Sequence, residues 1–252
     1  MTERPARTPL LSIVTVTFND SVGLAATLRS LETLKREAGS DIEILIQDGG
    51  STKVSAELSN RYSTLASFES VADSGIYDGM NRALARSTGR SVWFLNGGDT
   101  AELAGWETLA VELRRDGAHM IFADYLLKTR GRELVRKSRK ASYIWHGLPT
   151  SHQAIFYPGD RVRAEKYDLS YSIVGDYELT ARLLMQKVET RNASLVVAAF
   201  QSGGISQQQG RLIAIEARQV QQSTLHTSRL SQYASRLRHV VSRLLRRVQT
   251  GC

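Results

Sequence analysis

The sequence predicts an α/β fold built from parallel strand–helix–strand units, followed by a basic amphipathic helix at the C-terminus. β-branched apolar runs alternate with segments whose leucines recur at steps of three and four, as in strands and amphipathic helices. Three of the runs end at polar turns, as strands do at the ligand-binding edge of an open parallel sheet. The 252 residues, 42% of them hydrophobic, suffice for one large core.

The first half of the chain carries the clearest alternation. Residues 11–18 predict a buried strand, and a leucine stripe predicts a helix that ends near Gly39. The next strand is predicted at 42–47, and this order implies a right-handed parallel unit. Further elements are predicted as a helix at 55–66, a short strand at 69–71, a turn into a helix at 73–85 and a strand at 91–95.

The second half is less regular. It predicts strands at 120–125, 154–157 and 195–200, a helix at 176–186, and a hairpin or loop over the basic segment 128–140. We therefore divide the chain into an N-terminal tail (1–9), two halves of one domain (10–100 and 101–216) and a helical tail (217–252).

The charge is concentrated in this tail. The net charge is +8, yet beyond Glu216 the chain has seven Arg and no Lys, Asp or Glu. Two interpretations of the tail stay open: its apolar face enters an anionic membrane surface, or it packs onto the domain or a partner. The apolar face comprises Leu230, Tyr233, Leu237, Val240, Val241, Leu244, Leu245 and Val248.

Composition excludes several classes of protein. The single Cys, Cys252, excludes a disulfide framework and a cysteine-based metal cluster. Residues 1–9 lack the apolar run of a secretory signal, and no run approaches the ~20 residues that span a bilayer. Neither a dinucleotide-binding glycine fingerprint after a strand nor a phosphate-binding P-loop is present. A nucleic-acid-binding α/β protein is an alternative supported only by the basic charge.

Seven polar or glycine-containing motifs follow one another along residues 10–206. They are Thr17-Phe-Asn19, Gln47-Asp-Gly-Gly-Ser-Thr52, Asp73-Ser-Gly-Ile-Tyr-Asp-Gly-Met-Asn81, Phe94-Leu-Asn-Gly-Gly-Asp99, Ser151-His-Gln-Ala-Ile-Phe156, Val174-Gly-Asp-Tyr177 and Gly203-Gly-Ile-Ser206. In this order they resemble the motifs of family-2 glycosyltransferases of the GT-A fold. The segment 143–157 is most similar to bacterial colanic-acid-type exopolysaccharide enzymes.

The resemblance implies a Rossmann-like mixed sheet flanked by helices and an inverting sugar transfer. The donor would be a GDP- or UDP-linked sugar, and the acceptor a lipid-linked oligosaccharide in exopolysaccharide biosynthesis. We accordingly expect a cytoplasmic protein, peripherally bound to the inner face of the plasma membrane through its tail. The oligomeric state stays open.

The resemblance also assigns site residues. Asp176 would be the catalytic base, with a helix N-cap as its alternative role. The expected contacts to the acceptor or diphosphate are His152, Gln153, Gly203 and Gly204. The expected contacts to the nucleotide sugar are Thr17, Asn19, Asp48, Asp73, Gly75, Asp78, Asn81 and Asn96.

The metal motif departs from the family pattern. Asn96-Gly97-Gly98-Asp99 stands where the family has Asp-x-Asp, so Asp99 is the remaining carboxylate. One carboxylate together with donor phosphates can still hold Mg²⁺ or Mn²⁺. The departure also motivates an alternative function, a nucleotide-sugar-binding protein that has lost catalysis.

Overall fold

A computed structural model describes residues 8–51, 55–115, 119–129, 131–201, 209–235 and 237–238. Within these residues, one sheet contains nine strands: β1 (Leu11–Thr17), β2 (Ile42–Asp48), β3 (Ser67–Ser70), β4 (Ser91–Phe94), β5 (Thr100–Ala101), β6 (Met120–Thr129), β7 (Arg132–Arg136), β8 (Ile155–Pro158) and β9 (Thr190–Gln201). The helices are α1 (Ser21–Ala38), α2 (Ser55–Arg61), α3 (Ile76–Arg86), α4 (Trp106–Arg114), α5 (Gly159–Glu165), α6 (Gly175–Met185) and α7 (Gly210–Ser223), and residues 229–235 are also helical.

The sheet is mixed, in the order β3-β2-β1-β4-β8-β6-β9-β5, with β7 paired to β6. Strand β1 runs parallel to β2 and β4, and β2 runs parallel to β3. These pairings confirm the predicted parallel unit and bring the carboxyl ends of β1, β2 and β4 to one edge. Strand β8 joins the two halves of the sheet because it runs antiparallel to both β4 and β6.

Alternation along β1 explains why helices cover both faces of the sheet. All seven of its residues are buried. Leu11 and Ile13 pack in one cluster with the leucines of α1, whereas Val14 and Val16 pack in another with Met80 of α3. Successive strand side chains point to opposite faces, so a fully buried strand needs cover on each side.

Several element boundaries differ from those predicted. Helix α2 ends at Arg61, because the chain turns where Leu65 N donates to Tyr62 O at 2.9 Å. The 128–140 segment forms a hairpin, since β6 continues to Thr129 and pairs antiparallel with β7. Strand β9 begins earlier than predicted, at Thr190. Strand β5, α4 and α5 were not predicted. Helix α7 overlaps the predicted helical tail but begins earlier, so the boundary placed at residue 216 falls inside it.

The tail exposes its predicted apolar face where the structure describes it. Leu230, Tyr233 and Leu237 are 82%, 68% and 54% exposed. The opposite, polar face is buried, and Ser235 Oγ lies 2.8 Å from His146 Nδ1. For these three residues the packing of the apolar face onto the domain is contradicted. Val240 to Val248 lie outside the described residues, and no helix within the described ones is long and apolar enough to cross a membrane.

Candidate active site

The turns that follow β1, β2 and β4 contact one another at the carboxyl edge of the sheet. Gly49 N donates to Thr17 O at 3.0 Å, and Gly97 N donates to Val16 O at 3.0 Å. A Cβ on Gly97 would lie 3.2 Å from Thr17 Oγ1, so the β4 turn approaches β1 closely. The structure therefore brings the predicted residues at these strand ends into one site.

Asp48 organises the turn after β2. It is 3% exposed, and its Oδ2 accepts from Ser51 N at 3.0 Å and Ser70 Oγ at 2.6 Å, while Oδ1 accepts from Ser51 Oγ. Ser51 Oγ in turn accepts from Asn19 N at 2.7 Å, where Asn19 has a left-handed φ of 52°. A carboxylate offers about four acceptor positions, so about one remains for a ligand.

Two glycines make room for Asp73 beside this turn. A Cβ on Gly49 or Gly79 would lie 2.9 or 2.8 Å from Asp73 Oδ2. Asp73 Oδ1 accepts from Gly75 N at 3.1 Å, and Gly75, with a φ of 134°, is the N-cap of α3. Glycine inside a helix costs about 1 kcal/mol relative to alanine. The position of Gly79 in α3 is explained by the space that Asp73 occupies.

The two polar residues farther along α3 are engaged within the protein. Asp78 Oδ2 accepts from Ser74 N at 3.0 Å, and this bond is the main reason that its pKa lies below the ordinary value. Asn81 Nδ2 donates to Tyr167 O at 2.9 Å, and Asn81 Oδ1 accepts from Tyr167 N at 2.8 Å. The structure therefore gives Asn81 a role in holding the segment after α5, and its expected contact with the nucleotide is left to be tested by substitution.

The turn that replaces the metal motif is held by α1. Thr27 Oγ1 donates to Asp99 O at 2.6 Å and accepts from Gly98 N at 3.1 Å. Sequence reasoning did not identify Thr27, which lies in the middle of a helix and carries no motif. Asn96 Oδ1 is buried and has no hydrogen-bond partner among the described residues. Burial raises the pKa of Asp99 to about 7.

Gln153 is fixed against Asp99. Its Nε2 donates to Asp99 Oδ2 at 2.9 Å, its Oε1 accepts from Ser151 Oγ at 2.6 Å, and its carbonyl accepts from Trp93 Nε1 at 2.8 Å. Of the two candidate contacts in this motif, Gln153 is thus the one brought to the β4 turn.

His152 lies in the core instead. Its Nε2 is 2.7 Å from Tyr167 Oη, and its ring stacks on Phe94 at 5.3 Å. Burial lowers the pKa of His152 to about 3, so the ring is neutral at physiological pH. The contacts of His152 among the described residues are packing contacts in the core, and its expected contact with the acceptor or diphosphate stays a prediction.

Asp176 lies in the first turn of α6. The N-cap is Val174, so the alternative role of Asp176 as the cap does not hold. Asp176 Oδ1 accepts from Tyr177 N at 2.8 Å, and burial raises the pKa of Asp176 to about 6. The start of α6 abuts α3, since a Cβ on Gly175 would lie 2.8 Å from the Tyr77 ring. A partly buried carboxyl with this pKa suits proton transfer near neutral pH.

The oxygen atoms near Asp99 can hold a divalent cation only with help from a ligand. Across the described ranges, no three His, Cys, Asp or Glu side chains gather into a metal site. The chain offers the Asp99 carboxylate and the unpaired Asn96 Oδ1, which are oxygen ligands of the kind that Mg²⁺ and Mn²⁺ prefer. These two residues fit an ion whose other ligands come from a diphosphate and water. Gly203 and Gly204 lie outside the described residues.

Comparison with known proteins identifies relatives with a named activity. The chain is 27% identical over 219 residues to a "PGL/p-HBAD biosynthesis glycosyltransferase" of Mycobacterium bovis, which covers 79% of each protein. It is 29% identical over 205 residues to an uncharacterized glycosyltransferase of Mycobacterium tuberculosis, covering 78% of this chain and 77% of that one. The predicted likeness to colanic-acid enzymes therefore stays a prediction.

Solved structures share the fold. Staphylococcus aureus TarS 1–349 in complex with UDP has a TM-score of 0.64 at 14% identity, over 89% of this chain and 68% of that one. The mannosyltransferase PcManGT of Pyrobaculum calidifontis, in complex with GDP-Man and Mn²⁺, has a TM-score of 0.63 at 13% identity, over 89% and 66%. In a longer TarS structure the match spans 39% of that chain. The sequence profile of "Glycosyl transferase family 2" matches residues 12–172, so this chain belongs to that family and is a glycosyltransferase with the GT-A fold.

Proposed function

We propose that the protein is an inverting glycosyltransferase that moves a sugar from a nucleoside diphosphate sugar to a lipid-linked oligosaccharide in exopolysaccharide biosynthesis. The observation that supports this proposal best is the placement of Asp176. Its partly buried carboxyl has a pKa of about 6 and lies at the start of α6. There α6 contacts Tyr77 in the first turn of α3. A carboxylate with this pKa is ionised at neutral pH and still takes up a proton readily.

The donor would lie across the carboxyl edge. Thr17, Asn19 and Asp48 would contact the nucleoside, and the first turn of α3, which contains Asp78, would face the diphosphate beside Asp73 and Gly75. Free N–H groups at a helix start favour phosphate. The structural neighbours hold UDP, UDP-GlcNAc or GDP-Man, which supports the donor class without selecting the base. A Mg²⁺ or Mn²⁺ ion held by Asp99 and Asn96 would neutralise diphosphate charge.

The chemical step is a single displacement. Asp176 accepts the proton of the acceptor hydroxyl while the oxygen of that hydroxyl attacks the anomeric carbon of the donor sugar. The bond between that carbon and the diphosphate oxygen breaks, and the electron pair leaves with the nucleoside diphosphate. Attack opposite to the leaving group inverts the anomeric configuration. Gln153 holds Asp99 at the β4 turn and so shapes the diphosphate end of the site.

The test is transfer from UDP- and GDP-linked sugars, with and without Mn²⁺, to lipid-linked acceptors, with the product anomer read by NMR. We expect turnover with one nucleotide base and an inverted product. A retained configuration would contradict the single displacement. Nucleotide binding without turnover over a broad acceptor panel would favour the alternative of a binding protein that has lost catalysis.

The tail supports an anionic membrane as the place where the acceptor is met. Its seven Arg and absence of acidic residues give it one sign of charge, and Leu230, Tyr233 and Leu237 project away from the domain. Basic residues near an anionic surface contribute about 1 kcal/mol each, and the apolar face adds burial in the acyl boundary. This arrangement is compatible with residence at the inner face of the plasma membrane.

Vesicle flotation tests this partner. The full chain should float with vesicles containing anionic lipid and not with neutral ones, and salt should weaken binding. Replacing Leu230, Tyr233 and Leu237 by Ser should reduce flotation at least severalfold. The matched control replaces Leu134 and Val135, which are exposed apolar residues of the β7 hairpin. Equal flotation of the tail variant and the control would refute the tail as the membrane contact.

A further inference from the structure

A buried carboxylate holds the segment immediately before α6. Glu216 of α7 is 6% exposed. Its Oε1 accepts from Ser172 N at 2.9 Å, and its Oε2 accepts from Ile173 N at 3.0 Å and Val174 N at 3.1 Å. Three consecutive backbone N–H groups therefore converge on one side chain, which lies more than forty positions later in the sequence.

The same segment is held from its other side by α3. Tyr77 Oη donates to Ile173 O at 2.6 Å, and Gly175 packs against the Tyr77 ring. Burial is the main reason that the pKa of Tyr77 is raised, so the hydroxyl keeps its proton and stays a donor. The segment is thus fixed between a carboxylate that accepts and a hydroxyl that donates. Asp176 follows it by two residues.

Packing of α7 does not depend on Glu216 alone. Val220 lies in a small buried cluster with Tyr171, Val174 and Tyr177, and Gln221 Nε2 donates to Trp145 O at 3.2 Å. The helix therefore keeps apolar and polar anchors when the carboxylate is altered. What the carboxylate adds is charge-assisted hydrogen bonds, which are roughly twice as strong as neutral ones.

We propose that Glu216 is a positioning residue for Asp176: it fixes the 172–174 segment and thereby the position of the base at the start of α6. This inference rests on the proposed function, because it assigns Asp176 as the base. A misplacement of about 1 Å at a reacting group can lower the rate about 100-fold. Glu216 touches neither donor nor acceptor in this scheme, so its loss should leave donor binding intact.

Glu216→Gln tests the role with almost no change in shape. An amide presents one oxygen and one NH₂ group, so at least one of the three N–H groups would face another donor. Glu43 offers a chemically matched control, because its Oε1 accepts from Thr88 N at 2.6 Å and Gly89 N at 3.1 Å. Glu43 is the second residue of β2 and so lies at the amino end of that strand, away from the turn that follows its carboxyl end.

We expect Glu216→Gln to lower kcat about 10- to 100-fold, with the donor KM changed less than twofold. Hydrogen exchange at residues 172–174 should accelerate in the same variant. Glu43→Ala removes the acceptor of two backbone N–H groups, so it should lower the melting temperature comparably and leave kcat within twofold. A merely stabilising role of Glu216 predicts instead that both variants lose activity only in proportion to their unfolded fraction.

Three results would overturn the inference: kcat of Glu216→Gln within twofold of the unmodified protein, unchanged exchange at 172–174, or equal loss of donor binding and turnover. The proposed function is decided separately by turnover of the unmodified chain. If that chain shows no transfer, the positioning of a base fails together with the proposed function. If that chain does transfer a sugar, the ratio of the kcat values of the two variants decides the role of Glu216.

Discussion

Replacing Asp176 by Asn should separate the catalytic use of this carboxyl from its cost to stability. The neutral amide can still accept from Tyr177 N through its oxygen, so the start of α6 should persist. It cannot accept the proton of the acceptor hydroxyl. General-base catalysis contributes about 10²–10⁴-fold to rate, and we expect kcat to fall by that factor while the donor KM stays within about twofold.

The pKa of Asp176 sets the size and sign of the stability change. Burial raises it from 3.8 to about 6, so between these values the folded state binds more protons than the unfolded state. The free energy of unfolding therefore falls as pH rises through that window and stays lower above it. The full difference corresponds to about 3 kcal/mol. The Asn variant lacks this penalty, so it should be more stable than the unmodified protein above pH 6 and equally stable below pH 4.

Two assays check this reasoning. Thermal unfolding at pH 8 should show the Asn variant melting up to about 6–12 °C higher, since about 2–4 °C accompanies each kcal/mol in a protein of this size. The kcat of the unmodified enzyme should decline below an apparent pKa near 6, as the base becomes protonated. A variant that retains kcat would remove Asp176 from the mechanism. A variant less stable than the unmodified protein at pH 8 would refute the desolvation argument.

Three further substitutions test the site. Gly79→Ala places a Cβ 2.8 Å from Asp73 Oδ2, so we expect donor KM to rise about tenfold while the better helix propensity of Ala offsets most lost stability. Asn81→Leu leaves Tyr167 N and O unpaired and should lower the free energy of unfolding by about 2–4 kcal/mol, with donor affinity of the folded protein unchanged in calorimetry. Asp99→Ala should abolish stimulation by Mn²⁺ in a turnover titration.

Each of these outcomes has a result that contradicts it. Unchanged donor KM in Gly79→Ala would mean that the carboxylate beside it does not serve the donor site. Weaker donor binding in Asn81→Leu would support a nucleotide contact for that residue. For the metal, Asp160→Ala is the control because it removes an exposed acid on α5, and equal Mn²⁺ stimulation in both variants would exclude Asp99 as a ligand.

The fold could be predicted where the apolar residues follow one clear pattern, either a continuous run or a helical spacing. Strand β1 is buried along its whole length and α1 buries a regular leucine stripe, so both were predicted almost to their ends. Strand β9 was predicted too short because most of its first five residues are polar and at least partly exposed. Helix α4 was missed although Trp106, Leu109, Ala110 and Leu113 recur at helical spacing and are buried. That signal was present in the sequence.

The position of the site was easier to predict than the availability of its residues. Strand ends converge because parallel pairing requires it, and the Thr17 and Asp48 turns do meet. Asn81 and His152 have the residue types of a ligand contact, yet both bind Tyr167, which is 86 and 15 positions away. Which side chain has a partner inside the protein depends on tertiary distances, and no local pattern encodes these.

The direction of the apolar face of the tail helix also depends on tertiary structure, and the structure shows it for the described residues. The apolar spacing predicted a helix with one apolar face, but either direction of that face was compatible with the sequence. In the described part, Ser235 and Gln232 face the domain, and Gln221 Nε2 donates to Ser235 Oγ at 3.0 Å. A large apolar side chain contributes about 1.5–3 kcal/mol when it is fully buried. Leu230 and Tyr233 do not gain that contribution from the described residues, and the Arg residues of the tail lead us to expect an anionic surface as their partner.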